Sequence, residues 1–352
     1  MARLLAVSCG ICGAVADHPT YDIKEMQFGS REVFRYYECS SCGCLQLATP
    51  PEDLGRYYPP EYRPFRAPEP KPATYPGNRV VQSLRKKRNY HAVFKSGFLG
   101  GVLNRLFPLD PRQASWWCEP FSCFPDRGLR FVNLSGQSRI LDVGCGNGDF
   151  LRLLSAVGFG NLLGIDLFIP SQLTDPCGPA VLKKRITEVT GKWDLVMFNH
   201  SFEHMPEPLD VLKTVSKLLD TAGTCLIRIP TVSSFAWKYY RTNWVQCDAP
   251  RHLFLHSTTS LSLLAQNAGF RVSRIIYDST DFQFWASAQY ALDIPLWSAD
   301  SYAVDRRRCP FDDSTLRSFQ LRAAELNRAE DGDQAIFLLE RNPASQTLAA
   351  RG

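Results

Sequence analysis

Short apolar runs set off by glycine and proline recur through the middle and the end of the sequence. Arg139–Val143, Asn161–Ile165, Trp193–Phe198, Thr224–Ile229, Phe270–Tyr277 and Gln334–Glu340 are aliphatic and too short for helices, which predicts strands. Helical periods lie between them. Asp149–Val157 is one. Pro208 stands where a first helical residue belongs, with Leu209, Leu212, Val215 and Leu219 on one face and Gly223 past the end. Ser257 or a neighbouring threonine caps Leu261–Ala268, which Gly269 ends. This alternation predicts an α/β sheet with helices on both faces. Upstream, Tyr90, Val93, Phe94, Phe98, Val102, Leu103, Leu106 and Phe107 recur at helical spacing and predict one amphipathic helix, weakened by Gly97, Gly100 and Gly101. Such a helix packs on the next domain, covers a substrate as a lid, or lies on a membrane. Asp281–Gly332 reads as a helical, aromatic insertion ahead of the last strand, roofing a pocket together with residues 90–125.

The 352 residues, 45% hydrophobic and 21% charged, suit about two globular domains and exclude extended disorder. No uncharged apolar run approaches the roughly 18 residues that cross a bilayer. The apolar core of the N-terminal stretch is about five residues, shorter than the roughly seven of an export signal, so it reads as the start of a domain. The net charge of +5 is local: residues 79–112 carry +7, leaving the rest at −2. That patch suits phosphate in a nucleotide-sugar, RNA, or an anionic membrane surface, and equally a solvated helix face. Seven of the 24 prolines fall between Pro59 and Pro76 and mark an extended linker. Seven of the twelve cysteines are scattered, which together with the missing export signal suggests a reducing cytoplasm.

The other five cysteines are clustered. Cys9-x-x-Cys12 and Cys39-x-x-Cys42 are 26 residues apart, and two such turns present four thiolates to one tetrahedral ion. The expectation is a zinc ribbon with a structural Zn2+ on Cys9, Cys12, Cys39 and Cys42. Cys44 is a spare, or a substitute for Cys42. A disulfide pair is the competing reading, which a reducing compartment disfavours.

The run Ile140-Leu-Asp142-Val-Gly144-Cys145-Gly146-Asn-Gly148-Asp follows a strand and opens a helix. Dinucleotide enzymes use glycine loops too. Here, however, Asp142 would repel a pyrophosphate and can pair with an ammonium. Asp166, ending Gly164-Ile-Asp166, is placed to accept from two ribose hydroxyls. At these residues, and in Asn199–Leu219, the chain resembles class I S-adenosylmethionine-dependent methyltransferases over about Arg139–Arg341. The resemblance implies a Rossmann-like seven-stranded sheet preceded by the small zinc-ribbon domain. It implies that Asp142, Gly144, Cys145, Gly146 and Gly148 hold the methionine part of the cofactor, that Asp166 and Leu167 hold the ribose side, and that Asn199 and His200 line the far side. The domains expected are a zinc ribbon over 1–58, a linker over 59–78, a basic helical lid over 79–138, the cofactor domain over 139–280, a helical insertion over 281–332, and the last strand with a tail over 333–352.

Asn199-His200-Ser201-Phe202-Glu203-His204 lacks the prolines typical of enzymes that methylate exocyclic base nitrogens. Trp244–Ser257, with the ribbon and Tyr57–Tyr62, is similar to bacterial methyltransferases of surface-glycan and sugar-modifying contexts, including deoxysugar C-methyltransferases. His252 matches the histidine of their Glu-His pair, but Arg251 replaces the glutamate, which favours oxygen or amino-sugar nitrogen as acceptor at least as much as carbon. A base near neutral pKa suits a hydroxyl acceptor. The candidates, in order, are His252, His200 and His204. Arg251 is the candidate donor to a substrate phosphate or carboxylate. The expected acceptor is a sugar, nucleotide-sugar or glycan precursor. The competitors are an RNA acceptor gripped by the ribbon and the basic segment, and a non-catalytic binding module.

Overall fold

The computed structural model describes residues 4–59, 79–94, 97–107, 129–173, 178–308 and 310–342. Apart from Pro59, the expected proline linker lies outside them. A seven-stranded sheet has the order β11-β12-β9-β8-β5-β6-β7. Its strands are β5 (Arg139–Val143), β6 (Asn161–Ile165), β7 (Ala180–Leu182), β8 (Trp193–Asn199), β9 (Leu219–Pro230), β11 (Phe270–Tyr277) and β12 (Gln334–Arg341). The pairs β5–β6, β5–β8 and β6–β7 are parallel, and β11–β12 is antiparallel. A second sheet of five strands has the order β1-β2-β3-β4-β10: β1 (Leu4–Ser8), β2 (Val15–Lys24), β3 (Val33–Glu38), β4 (Leu45–Leu47) and β10 (Phe254–Leu255). The chain forms two compact units: Met1–Pro59 with His200–Lys213 and Arg228–Gly352, and Pro60–Asn199 with Thr214–Ile227.

In the unit built around β5–β8, Ile140, Leu141, Leu195, Val196 and Met197 are buried, as their unbroken apolar runs require. Helix α3 (Asp149–Val157) buries Leu151, Leu154 and Val157. The single helix expected around residues 90–107 is two, α1 (Arg79–Phe94) and α2 (Phe98–Leu106). Gly97, at φ +88°, takes a backbone conformation that breaks the helix. Gly100 is there for close approach, since a Cβ on it would stand 2.4 Å from Lys87 O. The basic cluster is thus the body of α1, which packs on α3: Asn89 Nδ2 donates to Ala156 O at 3.1 Å. Helix α4 (Pro208–Leu218) begins at the expected proline. The strand after it starts earlier than expected and includes Gly223, where a Cβ would meet Trp193 O at 2.7 Å.

In the other unit the cysteine-bearing strands do not pack alone. β10 pairs with β4 through Phe254–Gln46 and Leu255–Leu45. Ile23, Tyr36, Leu45 and Leu47 share one core with Trp237 of helix α5 (Phe235–Tyr240), Trp244, Leu255, Ala286 and Tyr290. Helix α6 (Thr258–Asn267) is capped by Ser257, whose Oγ accepts from Ser260 N at 2.9 Å and donates to Cys42 O. The insertion contains α7 (Phe282–Ala291) and α8 (Asp313–Arg328). Its aromatic residues serve the core, Phe284 packing with Ala323 and Leu326. No described helix is long and apolar enough to cross a membrane.

Candidate functional site

The glycine loop is closed upon itself. Gly144 N and Cys145 N both donate to Ile165 O, at 2.8 and 3.2 Å, and Gly148 N donates to Cys145 O at 3.0 Å. Gly146 N donates to Asp166 Oδ2 at 2.9 Å. These amides are therefore engaged by protein acceptors, which removes the donor nest a phosphate needs. Gly144, Gly146 and Gly148 have φ of +72°, +54° and +77°, so a side chain at any of them would strain the turn. Gly164 is demanded by contact, because a Cβ there would lie 2.5 Å from Cys145 Sγ.

Asp142 and Asp166 stand at the ends of adjacent strands. Asp166 is latched on both oxygens, its Oδ1 accepting from Phe168 N at 2.8 Å, while each oxygen keeps a further lone pair for a hydroxyl. Asp142 is buried and its Oδ1 has no hydrogen-bond partner. Burial first, then the charge of Asp166, pushes the Asp142 carboxyl up to about 8. An orphaned buried carboxyl of this kind fits an incoming ammonium. Leu167 and Phe168, directly after Asp166, are exposed apolar side chains. Cys145 is partly buried, and its thiol is pushed well up by burial and by the two carboxylates.

The chain leaves β8 at Asn199 and enters the other unit at His200, whose φ of +52° is uncommon for a side chain with a Cβ. Fully buried Glu203 is the centre of a cluster of three histidines. His200 Nδ1 lies 3.5 Å and His252 Nε2 3.8 Å from its Oε1. The ring centroids of His204 and His252 are 4.8 Å apart. His252 Nδ1 donates to Gln246 O at 2.8 Å and His204 Nδ1 to Arg251 O at 2.7 Å. Those carbonyls accept only, so each imidazole carries a proton on Nδ1, and Nε2 is the ring nitrogen left to other partners. Burial pushes the Glu203 carboxyl up, but His200, His204 and His252 pull it down to about 2. Burial and the neighbouring His252 lower His204. His252 is 5% exposed, whereas a third of the His200 side chain (33%) is open.

Arg251 is not a substrate donor. It is fully buried, with Nε on both Asp248 oxygens at 3.0 and 3.1 Å, Nη2 on Glu25 Oε1 at 2.9 Å, and Nη1 on Tyr57 O at 3.0 Å. Burial pushes the Asp248 carboxyl up, and the adjacent Arg251 guanidinium outweighs it and holds the group low. Glu25, thirteen residues beyond Cys12, has no local signal in the sequence, and only folding brings it to Arg251. Arg251→Met takes the cation from the buried Asp248 and Glu25 carboxylates, leaving Glu25 only its bonds from Phe28 N and Ser30 N, and is expected to cost about 3–5 kcal/mol. Denaturant unfolding measures this, and a loss below about 1 kcal/mol would contradict the clamp role.

Cys9, Cys12, Cys39 and Cys42 gather their sulfurs into one group, while Cys44 lies outside it. None of the described cysteines is in a disulfide. Cys9 Sγ–Cys42 Sγ is 3.7 Å and Cys12 Sγ–Cys39 Sγ 3.6 Å, close to the roughly 3.8 Å edge of a tetrahedron of ~2.3 Å zinc–sulfur bonds. Both turns are alike: Gly13 N donates to Cys9 O at 2.9 Å, and Gly43 N to Cys39 O at 2.8 Å. Backbone amides of Cys12 and Cys42 approach the first sulfur of each turn at 3.5 Å. The cluster is thus compatible with zinc. The strands that carry it also support the histidines: Tyr36 OH donates to His252 O at 2.9 Å, and Leu47 N donates to Leu253 O at 3.0 Å.

The sequence profile of the methyltransferase domain family matches residues 94–275, just over half of the 352. The chain belongs to this methyltransferase domain family. Similar solved structures include an S-adenosylmethionine-dependent methyltransferase from Archaeoglobus fulgidus, 18% identical, covering 68% of this chain and 98% of that one, with a TM-score of 0.39. Another, from Mesorhizobium loti, is 16% identical over 58% of this chain and 92% of that one, with a TM-score of 0.35. The O-methyltransferase of a trans-AT polyketide synthase multienzyme of Brevibacillus brevis is 13% identical over 59% and 67%, with a TM-score of 0.34. No curated protein matches the sequence.

Proposed function

We propose that the enzyme methylates a hydroxyl of a sugar, nucleotide-sugar or related glycan precursor. The observation that carries this reading is the one-third-exposed imidazole of His200 beside the buried Glu203. A hydroxyl must lose its proton as it is alkylated, and an imidazole with a carboxylate beside it is suited to take it. S-adenosylmethionine, when bound, supplies a methyl group already activated on a sulfonium sulfur. Asp142 would hold its ammonium, Asp166 and Leu167 its ribose side, and Gly144, Cys145, Gly146 and Gly148 would let its methionine part lie against the backbone. By the family resemblance, Asn199 and His200 would line its far side. His200 Nε2 accepts the acceptor's proton while Glu203 stabilises the imidazolium. His252 and His204, more enclosed and tied to carbonyls, shape the cluster. The sugar assignment is supported by the resemblance at Trp244–Ser257 to glycan-modifying enzymes, and the cytoplasm is its expected location.

The test is transfer of labelled methyl into a bacterial extract, fractionated by size with and without ribonuclease. The expected result is label in small, ribonuclease-resistant material, lost with His200→Ala. Label in large material that ribonuclease releases would make RNA the acceptor and the basic helix α1 its grip.

A further inference from the structure

The group at Glu203 has a feature that the proton-transfer reading leaves unused. Neither carboxylate oxygen of this fully buried side chain has a hydrogen-bond partner. The nearest nitrogen, His200 Nδ1 at 3.5 Å, is too distant for a good hydrogen bond. A buried carboxylate left this way is costly unless a cation meets it. We propose that Glu203, His204 and His252 form a second metal site, separate from the four cysteines, that takes a divalent first-row transition-metal ion of the zinc or cobalt type.

Three observations converge. One donor atom from each of the three side chains lies within 4.8 Å of the other two. Both histidines have Nδ1 on a backbone carbonyl, at 2.7 and 2.8 Å, which fixes the rings and leaves Nε2 as a ligand. This is the outer-shell arrangement that orients metal-bound histidine. His252 Nε2 lies 3.8 Å from Glu203 Oε1 and 3.7 Å from Asp248 Oδ2, and Arg251 already clamps the latter. Bonds of about 2.1 Å ask for donor separations of roughly 3.0–3.4 Å, so the side chains close by about an ångström around the ion. Two imidazoles with one carboxylate select a borderline metal over magnesium or calcium, which prefer oxygen alone. Three protein ligands leave coordination positions open. His200 would then hydrogen-bond the ligating carboxylate from outside.

Should the acceptor be a hydroxyl, the ion has a task, to lower the pKa of a bound hydroxyl so that its proton leaves at neutral pH. That role rests on the function proposed above, whereas the site itself does not. The test is titration of Co2+ into protein whose cysteine cluster is already loaded with zinc. The expected result is one further equivalent of Co2+, with visible bands of nitrogen and oxygen ligation and no sulfur charge-transfer band. Glu203→Gln and His252→Ala, each checked for retained fold and retained cysteine-bound zinc, should weaken that equivalent by about 100-fold or more. Absence of a further equivalent in the wild type overturns the proposal, whatever the variants do. Unchanged affinity in both variants overturns it as well. Binding of Co2+ at these residues with label appearing in RNA would uphold the metal site and defeat the sugar reading.

Discussion

Replacing Asp142 with asparagine is expected to abolish cofactor binding while making the folded protein more stable at alkaline pH. The carboxyl is buried, one oxygen has no partner, and burial with the nearby Asp166 charge raises it from 3.8 to about 8. An acid raised in the folded state ionises first in the unfolded chain, so its presence costs stability as pH climbs from about 4 to about 8. Asparagine never ionises and removes that cost. The gain should be nil near pH 4 and should reach a few kcal/mol at pH 9. Cofactor affinity shows the opposite side of the same linkage. An ammonium needs the ionised carboxylate, so wild-type affinity should rise about tenfold per pH unit between pH 6 and 8. Calorimetric titration and denaturant unfolding across that range check both. Undiminished affinity in Asp142→Asn, or an equal stability gain at pH 4, would remove Asp142 from the ammonium role.

Stripping metal from the four cysteines is expected to stop methyl transfer while leaving cofactor affinity within about twofold. Structural zinc in small peptides contributes roughly 10–16 kcal/mol to folding, and the two cysteine turns share no other covalent link. Strands β3 and β4 hold the histidine group through backbone atoms: Tyr36 on His252 O at 2.9 Å, and Leu47 N on Leu253 O at 3.0 Å. Loss of those strands also uncovers Trp237 and Trp244 in the shared core. The glycine loop, by contrast, is held by Ile165 O, Asp166 and Cys145 O within its own unit. Chelation followed by circular dichroism, label transfer and calorimetry separates the two. Full turnover in a zinc-free Cys39→Ser variant would show that the ribbon gives the histidines no support.

The family was legible in the sequence because its determinants are local. A strand that must be buried on both faces reads as a short aliphatic run, and β5 begins and ends where that pattern does, while α3, β6 and β11 also keep their expected bounds. The cofactor loop reads equally well, since three glycines and two strand-end aspartates carry its backbone demands within about 25 residues. The cysteine turns also announce themselves, down to the glycine that follows each pair. Less was legible around residues 79–107. There the hydrophobic period runs across Gly97, and nothing in the spacing alone reveals that the helix breaks and that Gly100 lies against Lys87.

What only the tertiary structure decided concerns groups whose meaning depends on distant partners. Arg251 reads as a free cation beside His252, yet Glu25 and Tyr57 come from the far end of the chain to bury it. Glu203 reads as one polar residue among several, and folding alone makes it the centre on which three histidines converge. A carboxylate's charge state depends on its surroundings in space, and sequence neighbours supply only a small part of them. The sequence therefore determined the methyltransferase fold, the cofactor loop and the cysteine cluster. The three-dimensional packing determined which polar groups are clamps and which stay without partners.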